Sequence, residues 1–267
     1  MSKQKVLSFI TSLIVVLSNA AFADDHAGGQ PKAGDVINMQ VNLCNLNDGF
    51  TIEDYNKMNR EYFKWSKTND VEETFVRQAP VFTHNSPNNP DQYEFMDLLF
   101  TDYETSGKAW DKWLGTKSGQ RLNSKWQEIA TCDVKFMAMY LWHVDSEVID
   151  NDDERVVAWD YCTPLENTTP DQMNDFHAKL AESWDFKQSA WAVAFPTIGL
   201  GQVEGFFHVN AYKDFETYQS HQKALYSEGG WRTYYDYQNT IASCSGDSVY
   251  QETVMNRGPY KSDTLAD

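Results

Sequence analysis

The sequence is poor in positive charge and, beyond its N-terminus, in long apolar stretches. It has 22 Lys and Arg against 39 Asp and Glu, which gives a formal net charge of −17. Because such a surface repels phosphate backbones and anionic membrane faces, we expect no nucleic-acid partner. After Leu17 no apolar run approaches the ~20 residues that a membrane-spanning helix needs, so we expect no membrane span either.

Familiar catalytic motifs are also absent from the sequence. It has no glycine-rich phosphate loop, no Gly-x-Ser-x-Gly and no His-Glu-x-x-His. Asp150, Asp152 and Glu154 have the alternate spacing of a calcium loop. Position six of that loop is Arg155 rather than Gly, and position twelve is Tyr161 rather than Glu, which excludes an EF-hand. The cysteines form no closely spaced pair, so we predict no metal site. The motifs leave open whether the protein is an enzyme.

The N-terminus has the pattern of an export signal. Lys3 and Lys5 precede the apolar run Val6–Leu17, and Ala21–Phe22–Ala23 supplies small residues for a cleavage site. The run is shorter than an ordinary membrane span, and a buried N-terminal helix is the alternative. We predict that cleavage near Ala23 releases a soluble protein that is periplasmic or secreted.

The chain repeats itself, and each copy carries two cysteines. The element Asp102–Thr105 returns as Asp214–Thr217, at the same distance before the second cysteine of its copy. A repeat of this length indicates a duplicated domain, because solenoid units are only about 20–50 residues long. Four cysteines in an exported chain favour disulfides over metal thiolates. Of the three possible pairings, the repeat favours those within each copy, Cys44–Cys132 and Cys162–Cys244.

Each copy shows the same predicted order of elements, β-α-β-β-α-β. Ile37–Leu43 alternates strictly between apolar and amide residues, as a strand with two different faces does. Thr51 and Thr169 are the predicted N-caps of the first helix in each copy. This order is that of a ferredoxin-like unit, in which the first and last strands lie side by side and antiparallel. It therefore brings the two cysteines of each copy together.

Two tandem units of this kind resemble the dimeric α+β-barrel superfamily, in which two ferredoxin-like sheets face each other. The resemblance implies an α+β fold of two tandem βαββαβ units, with antiparallel sheets packed face to face in one chain. The superfamily includes antibiotic-biosynthesis-type monooxygenases, haem-degrading and haem-dependent peroxidase-like enzymes, and stress-responsive proteins, but fold likeness alone transfers none of these activities. The predicted organisation is a signal peptide (1–23), a disordered tail (24–34), a first repeat (35–144), an acidic linker (145–154), a second repeat (155–258) and a C-terminal tail (259–267).

Polar residues of the first copy are candidate ligand contacts. Asn38, Gln40 and Asn42 share the strand face opposite the apolar residues, and we expect them to point into the space between the two sheets. Three amides in a row suit a polar or watered cavity better than a dry core. Arg77 on the second strand could bind an anionic group, and a surface salt bridge is the alternative.

The sharpest difference between the copies lies on the third strand. His208 and Asn210 alternate there in the second copy, where the first copy has Met96 and Leu98. Asp160 stands two residues before the first cysteine of its copy. We predict His208, Asn210 and Asp160 as candidate catalytic residues, with His208 acting as a general base or a ligand. A structural role for His208 is the alternative.

These features predict a protein that binds a small, partly apolar molecule in a cavity between two sheets. Aromatic residues make up 14% of the chain, enough for some rings to line a cavity. The first alternative is a cofactor-independent monooxygenase-like or isomerase-like enzyme that uses His208. A haem-binding protein with His208 as axial ligand and a structural or surface-assembly protein are further hypotheses. No cofactor is predicted, haem stays open, and we expect a monomer or homodimer.

Overall fold

The computed structural model describes residues 29–83, 93–185, 187–201 and 204–264. The predicted signal peptide lies outside these ranges, together with the first part of the predicted N-terminal tail (24–28) and the last residues of the C-terminal tail (265–267). In the part of the chain that is described, no helix is both long and apolar enough to cross a membrane.

Both repeats have the predicted order of elements, with the second helical region of each divided in two. The first repeat comprises β1 (Asp35–Leu46), α1 (Ile52–Thr68), β2 (Thr74–Phe82), β3 (Phe95–Thr101), α2 (Tyr103–Gly115), α3 (Lys117–Ile129) and β4 (Ala130–Val144). A short helix, α4 (Ser146–Asn151), lies in the stretch predicted as a linker. The second repeat comprises β5 (Glu154–Pro164), α5 (Pro170–Ser183), β6 (Ala190–Ile198), β7 (Phe206–Tyr212), α6 (Phe215–Ser227), α7 (Trp231–Thr240) and β8 (Ala242–Asn256), and β9 (Asp263–Thr264) follows it.

Side-chain caps define where the first helix of each repeat begins. The Thr51 hydroxyl accepts a hydrogen bond from the Asp54 N–H (3.3 Å), and the Asp54 carboxylate accepts one from the Thr51 N–H (3.2 Å). Thr169 and Gln172 form the same capping box at the start of α5. Each box satisfies two backbone donors that a helix end otherwise leaves unpaired. The caps predicted at Thr51 and Thr169 are therefore confirmed.

The strands close into an antiparallel barrel that one chain builds from its two repeats. Among the described residues the strand order is β3-β2-β8-β5-β7-β6-β4-β1, and β1 pairs with β3 to complete the ring. The β2–β8 and β4–β6 pairings join one repeat to the other, and β9 adds a short pairing at the end of β1. This architecture confirms the predicted fold, a dimeric α+β barrel fused into one chain.

Both predicted disulfides are present. Cys44 lies directly opposite Cys132 in the β1–β4 pairing, and Cys162 lies opposite Cys244 in the β5–β8 pairing. Each bridge therefore joins the first and last strands of its repeat. The bridged residues are 88 and 82 positions apart. By loop-closure entropy, bridging segments of this length stabilises the folded protein by about 4 kcal/mol per bridge.

The inner face of the barrel carries the main apolar core. Ile37, Met39 and Val41 of β1 meet Val157 and Trp159 of β5 there, together with apolar residues of the other strands. The helices cover the outer face, where smaller clusters pack α1 to α3 against the first repeat and α5 to α7 against the second. Both faces of the sheet are thus covered, and the inner one is the more apolar.

The predicted direction of the three amides on β1 is wrong. Asn38, Gln40 and Asn42 alternate with the inner residues and so lie on the outer face, beneath the helices. The Trp110 Nε1–H of α2 donates to Gln40 Oε1 (2.9 Å). The amides face outwards because the facing sheet offers mostly apolar neighbours, whereas the helices supply hydrogen-bonding groups.

Candidate functional site

A cavity of about 290 Å³ lies between the outer face of the second repeat and the helices α5, α6 and α7. We call it the second-repeat cavity. The three predicted catalytic residues, His208, Asn210 and Asp160, all line it. The structure thus brings them together, on the helix side of the sheet. Eight aromatic side chains contribute to the wall: Phe176, Trp184, Trp191, Tyr212, Tyr218, Tyr226, Tyr234 and Tyr237.

His208 is held by hydrogen bonds at both ring nitrogens. The Trp191 Nε1–H donates to His208 Nδ1 (3.0 Å), and His208 Nε2 lies 3.0 Å from the Tyr237 hydroxyl. Because an indole nitrogen only donates, the neutral ring carries its proton on Nε2 and donates it to Tyr237. The Tyr237 hydroxyl lies 3.0 Å from His177 Nε2 and donates to it. One ordered chain therefore runs from Trp191 to His177.

Burial keeps this chain uncharged. It lowers the pKa of His208 well below the usual range, and the neighbouring His177 adds to that effect. Burial also lowers the pKa of His177 to about 4 and raises the pKa of Tyr237. A general base needs a free lone pair, and the lone pair of His208 already accepts the indole proton. The arrangement therefore favours the structural alternative for His208.

The same hydrogen bonds bear on the hypothesis that His208 is the axial ligand of a haem. An axial histidine presents a ring-nitrogen lone pair to the iron. In His208 that lone pair is occupied by Trp191, and the other nitrogen donates its proton to Tyr237. The residues around His208 therefore do not fit a haem with this axial ligand.

Two carboxyl groups face each other across β5 and β8. Asp160 and Asp247 are direct partners in the strand register. Asp160 accepts a hydrogen bond from the Gly246 N–H (2.7 Å), while Asp247 accepts from the Tyr218 hydroxyl and the Gln222 amide (both 3.0 Å). Burial, and then the charge of Asp247, raises the pKa of Asp160 to about 6. Asp160 thus changes protonation near neutral pH, as an acid–base group must.

Two further polar side chains complete the cavity wall. The Asn210 Oδ1 accepts a hydrogen bond from Gln188 Nε2 (3.3 Å). His221 of α6 has a buried Nδ1 with no hydrogen-bond partner among the described residues, and burial lowers the pKa of His221 to about 4. A buried polar atom without a partner at a cavity wall is a position that a ligand group can satisfy.

Three of the four predicted ligand-binding residues of the first repeat, Gln40, Asn42 and Arg77, form hydrogen bonds within the protein. Arg77 donates to both carboxylate oxygens of Asp97 (2.7 and 3.0 Å) and to Asn56 (2.6 Å). Arg77 therefore forms a salt bridge, which was the alternative to anion binding, but the salt bridge is buried rather than on the surface. Gln40 donates to Asn42 (2.9 Å), and the space beside this pair is about 60 Å³. Such a space suits a few waters better than an organic ligand. Their ligand role stays a prediction.

One cluster of metal-ligand types lies next to the second-repeat cavity. Ligand atoms of Cys162, Cys244 and His208 lie within 4.8 Å of one another. The two sulfur atoms are bonded to each other, whereas a metal binds the thiolate form. While the bridge is intact, this cluster offers no thiolate ligand.

Comparisons with known proteins return structural likeness without sequence likeness. No protein-family model matches the chain, and no curated protein does. The chain is similar to a candidate monooxygenase from Fusobacterium nucleatum subsp. nucleatum, with 10% identity over 88% of this chain and 99% of that one and a TM-score of 0.49. A candidate monooxygenase from Lactobacillus acidophilus has 8% identity over 87% and 100% of the two chains, with a TM-score of 0.48. An anthrone oxidase-like protein has 12% identity over 86% and 97%, with a TM-score of 0.47. Similarities at this level do not indicate an activity. The fold is identified from the strand order of the barrel.

Among the residues of this site that sequence reasoning missed are Asp247, Tyr237, His177 and His221. Counting outwards from the paired cysteines on β5 and β8 would place Gly246 opposite Asp160. An irregularity in the register between Asp160 and Cys162 moves the partner on to Asp247. His177 stands four residues after the buried Met173 and so shares its helix face, which is a signal that the sequence contains.

Proposed function

We propose that the protein binds a small, neutral, aromatic molecule with a hydroxyl group in the second-repeat cavity. The observation that carries this proposal is a 290 Å³ space with aromatic walls and an unpaired buried His221 Nδ1, judged over the described residues. Apolar walls with a few convergent polar groups are typical of ligand sites. The proposal keeps the predicted class of ligand and puts it between sheet and helices rather than between the two sheets.

Charge and volume define the chemistry of the ligand. Asp160 and Asp247 both line the cavity and the chain has a net charge of −17, so an anionic ligand is repelled. A neutral hydroxyl can donate to the Asp160 carboxylate or pair with His221. An apolar cavity of about 150 Å³ holds benzene, so a space of 290 Å³ suits a two-ring compound such as 2-naphthol.

Isothermal titration calorimetry with 2-naphthol and 2-methoxynaphthalene tests the proposal. The methoxy compound has the same rings but cannot donate a hydrogen bond, so we expect it to bind about tenfold more weakly. Leu180→Trp fills the cavity and should abolish binding. The control Leu114→Trp makes the same change at an exposed position of α2 and should leave binding unchanged. Binding that survives Leu180→Trp, or equal affinity for the two compounds, would contradict the proposal.

Asp160 supports a second candidate function, an acid–base enzyme of the isomerase-like or monooxygenase-like kind. We propose that its carboxylate removes a proton from a carbon next to a carbonyl group of the bound molecule. The C–H electron pair moves into an enolate, and the protonated Asp160 returns the proton to carbon or to the oxygen. The supporting observation is its pKa of about 6 at the wall of an aromatic cavity. In this version His208 fixes the position of Tyr237 through their hydrogen bond, while Asp160 takes the role of base.

Deuterium exchange into 2-tetralone, followed by proton NMR in heavy water, tests the enzyme candidate. The wild-type protein should accelerate exchange at the carbon beside the carbonyl, increasingly as the pH rises through about 6. Asp160→Asn should lower the acceleration about 100-fold or more, whereas the exposed Asp175→Asn should not. Exchange that is unaffected by Asp160→Asn would remove the enzyme candidate and leave the binding proposal standing.

We also propose that the chain is exported and cleaved near Ala23. The two disulfides support an oxidising compartment, such as the periplasm or the exterior. N-terminal sequencing of the protein from periplasmic and secreted fractions should then begin at Asp24. A chain that keeps Met1 or stays in the cytoplasm would contradict this part of the proposal.

The protein is proposed to act as a monomer in which the repeats 35–144 and 155–258 unfold together. One chain supplies both sheets of the barrel, and the β2–β8 and β4–β6 pairings cross between the repeats. Sedimentation should give a monomer, and calorimetry a single unfolding transition. A homodimer, or two separate transitions, would argue against this arrangement.

A further inference from the structure

A second cavity lies inside the barrel, on the other side of the sheet from the second-repeat cavity. Its volume is about 190 Å³, and we call it the barrel cavity. Apolar side chains from both repeats form most of its wall, among them Met39, Leu98, Met139, Val157 and Ala192. The interior of a barrel of eight strands is either filled by side chains or holds one small ligand. Unfilled space of this size in the core therefore suits a small ligand.

A polar cluster of Arg155, Glu252 and Gln78 interrupts the apolar wall of the barrel cavity, which is also lined by Gln30, Thr74, Asp150, Arg257 and Tyr260. Arg155 Nε lies 3.1 Å from Glu252 Oε1, and Gln78 Nε2 donates to Glu252 Oε2 (2.7 Å). The Trp159 Nε1–H donates to Gln78 Oε1 (2.9 Å). Arg155 and Glu252 are each 6% exposed, and Gln78 is 1% exposed. Burial of an ion pair in an apolar interior is unfavourable unless further interactions offset it.

Arg155 has hydrogen-bonding capacity that the protein does not use. Its Nε is within ion-pair distance of Glu252, but the geometry is not that of a hydrogen bond, and within the described ranges this atom has no hydrogen-bond partner. A guanidinium group carries five N–H donors and no acceptor. A buried donor without an acceptor is costly. The Nε has almost no accessible surface, so an acceptor group from outside the chain would meet the terminal N–H groups of Arg155, which lines the cavity.

We propose that the barrel cavity is a second binding site, for a compact neutral molecule with an apolar body and one carbonyl group. The carbonyl oxygen accepts a hydrogen bond from the Arg155 guanidinium. Glu252 already neutralises Arg155, so an anionic ligand would leave a net negative charge buried in the barrel. A cavity of about 150 Å³ holds benzene, and 190 Å³ therefore fits one ring with a short side chain.

The barrel cavity does not depend on the function proposed above. The two cavities share no lining residue, because successive residues of β5, β6 and β7 point to opposite faces of the sheet. Val157 and Trp159 line the barrel cavity, for example, whereas Asp160 lines the other. Ligand binding can therefore fail at one site and persist at the other.

Methyl NMR of the protein labelled with ¹³C at its methionine methyl groups detects the site directly. Met39 and Met139 line the barrel cavity, whereas Met173 of α5 packs on the outer face. Acetophenone should shift the Met39 and Met139 signals and leave the Met173 signal in place. Isopropylbenzene has a similar size and no carbonyl, and it should bind about tenfold more weakly.

Two filling variants assign the shifts to one cavity. Ala192→Leu places a larger side chain in the barrel cavity and should abolish the shifts at Met39 and Met139. Leu180→Trp fills the second-repeat cavity instead and should leave them unchanged. The double variant Arg155→Met/Glu252→Leu removes both charges, since removal of one would strand the other. It should bind the two probes with equal affinity.

The affinities of the wild-type protein for acetophenone and isopropylbenzene test the role of Arg155 even where a core variant fails to fold. The proposal is overturned by any of three results: no shift at Met39 and Met139 with acetophenone near saturation in water, shifts that survive Ala192→Leu, or wild-type protein that binds isopropylbenzene as tightly as acetophenone. The last result would mean an apolar cavity that makes no use of Arg155.

Discussion

Replacement of Asp160 by Asn should stabilise the folded protein above pH 6. Burial and Asp247 raise the pKa of Asp160 from 3.8 to about 6 in the folded state. An acid with a raised pKa binds its proton more tightly in the folded than in the unfolded protein. Its contribution to stability is therefore fully present below pH 3.8 and is lost as the pH rises through about 6. Asn keeps an oxygen that can accept the Gly246 N–H and never ionises.

The structure bounds the size of this gain. A rise from 3.8 to about 6 is roughly 2 pKa units, and this corresponds to about 3 kcal/mol between the two protonation states. Asp160 is 8% exposed and faces a cavity, so solvent there screens part of the unfavourable interaction. We therefore expect Asp160→Asn to raise the free energy of unfolding by about 1–2 kcal/mol at pH 8. The gain should vanish near pH 4.

Urea unfolding at pH 4, 6 and 8 measures this difference through the midpoint and slope of each curve. The control Asp175→Asn removes an exposed carboxylate of α5 and should change the free energy of unfolding by less than about 0.5 kcal/mol at every pH. The reasoning is refuted if Asp160→Asn is neutral or destabilising at pH 8, or if its effect is the same at pH 4 and pH 8.

Three further stability predictions follow from other buried groups. Burial raises the pKa of Glu73 from 4.5 to about 8, so the contribution of Glu73 to stability is lost as the pH rises through 8. The stabilisation by Glu73→Gln, measured by urea unfolding, should therefore grow by about 2–4 kcal/mol from pH 4 to pH 9. A difference in free energy of unfolding that stays constant over that range would contradict this. Arg77→Met should lower the free energy of unfolding by about 3–5 kcal/mol, because it leaves the buried Asp97 carboxylate without a cationic partner. The double variant Arg77→Met/Asp97→Leu should recover most of this loss. A double variant as unstable as the single one would show that lost packing dominates. Replacing Cys162 and Cys244 by Ser should cost about 4 kcal/mol and lower the melting temperature, and an unchanged melting temperature would count against the entropic account.

The fold and the cysteine pairing could be predicted because they depend on local signals that occur twice. Capping boxes at Thr51 and Thr169 and strict alternation in Ile37–Leu43 reflect the geometry of single elements. The order of those elements then leaves one pairing in which Cys44 meets Cys132 and Cys162 meets Cys244. Local periodicity and the order of elements both depend on the spacing of residues along the chain, so they can be predicted from the sequence.

The direction of the polar face could not be predicted in the same way. Alternation shows that Asn38, Gln40 and Asn42 share one face of β1, but it does not say which layer covers that face. The answer depends on how apolar the opposing sheet is, and that sheet comes from residues more than a hundred positions away. Arg155 and Glu252 were overlooked for the same reason, since they meet only when β5 pairs with β8.

The sequence by itself determined the elements, their order, the duplication and the bridges that tie each repeat together. It also singled out His208 and Asn210, because the two copies differ there, and Asp160, because of its position two residues before the first cysteine of its copy. Tertiary structure alone decided that β2–β8 and β4–β6 close the ring, that Asp247 faces Asp160, and that two separate cavities lie on opposite sides of one sheet. Hydrogen-bond partners and pKa values arise from contacts between distant segments, and those contacts exist only once the chain has closed into a barrel.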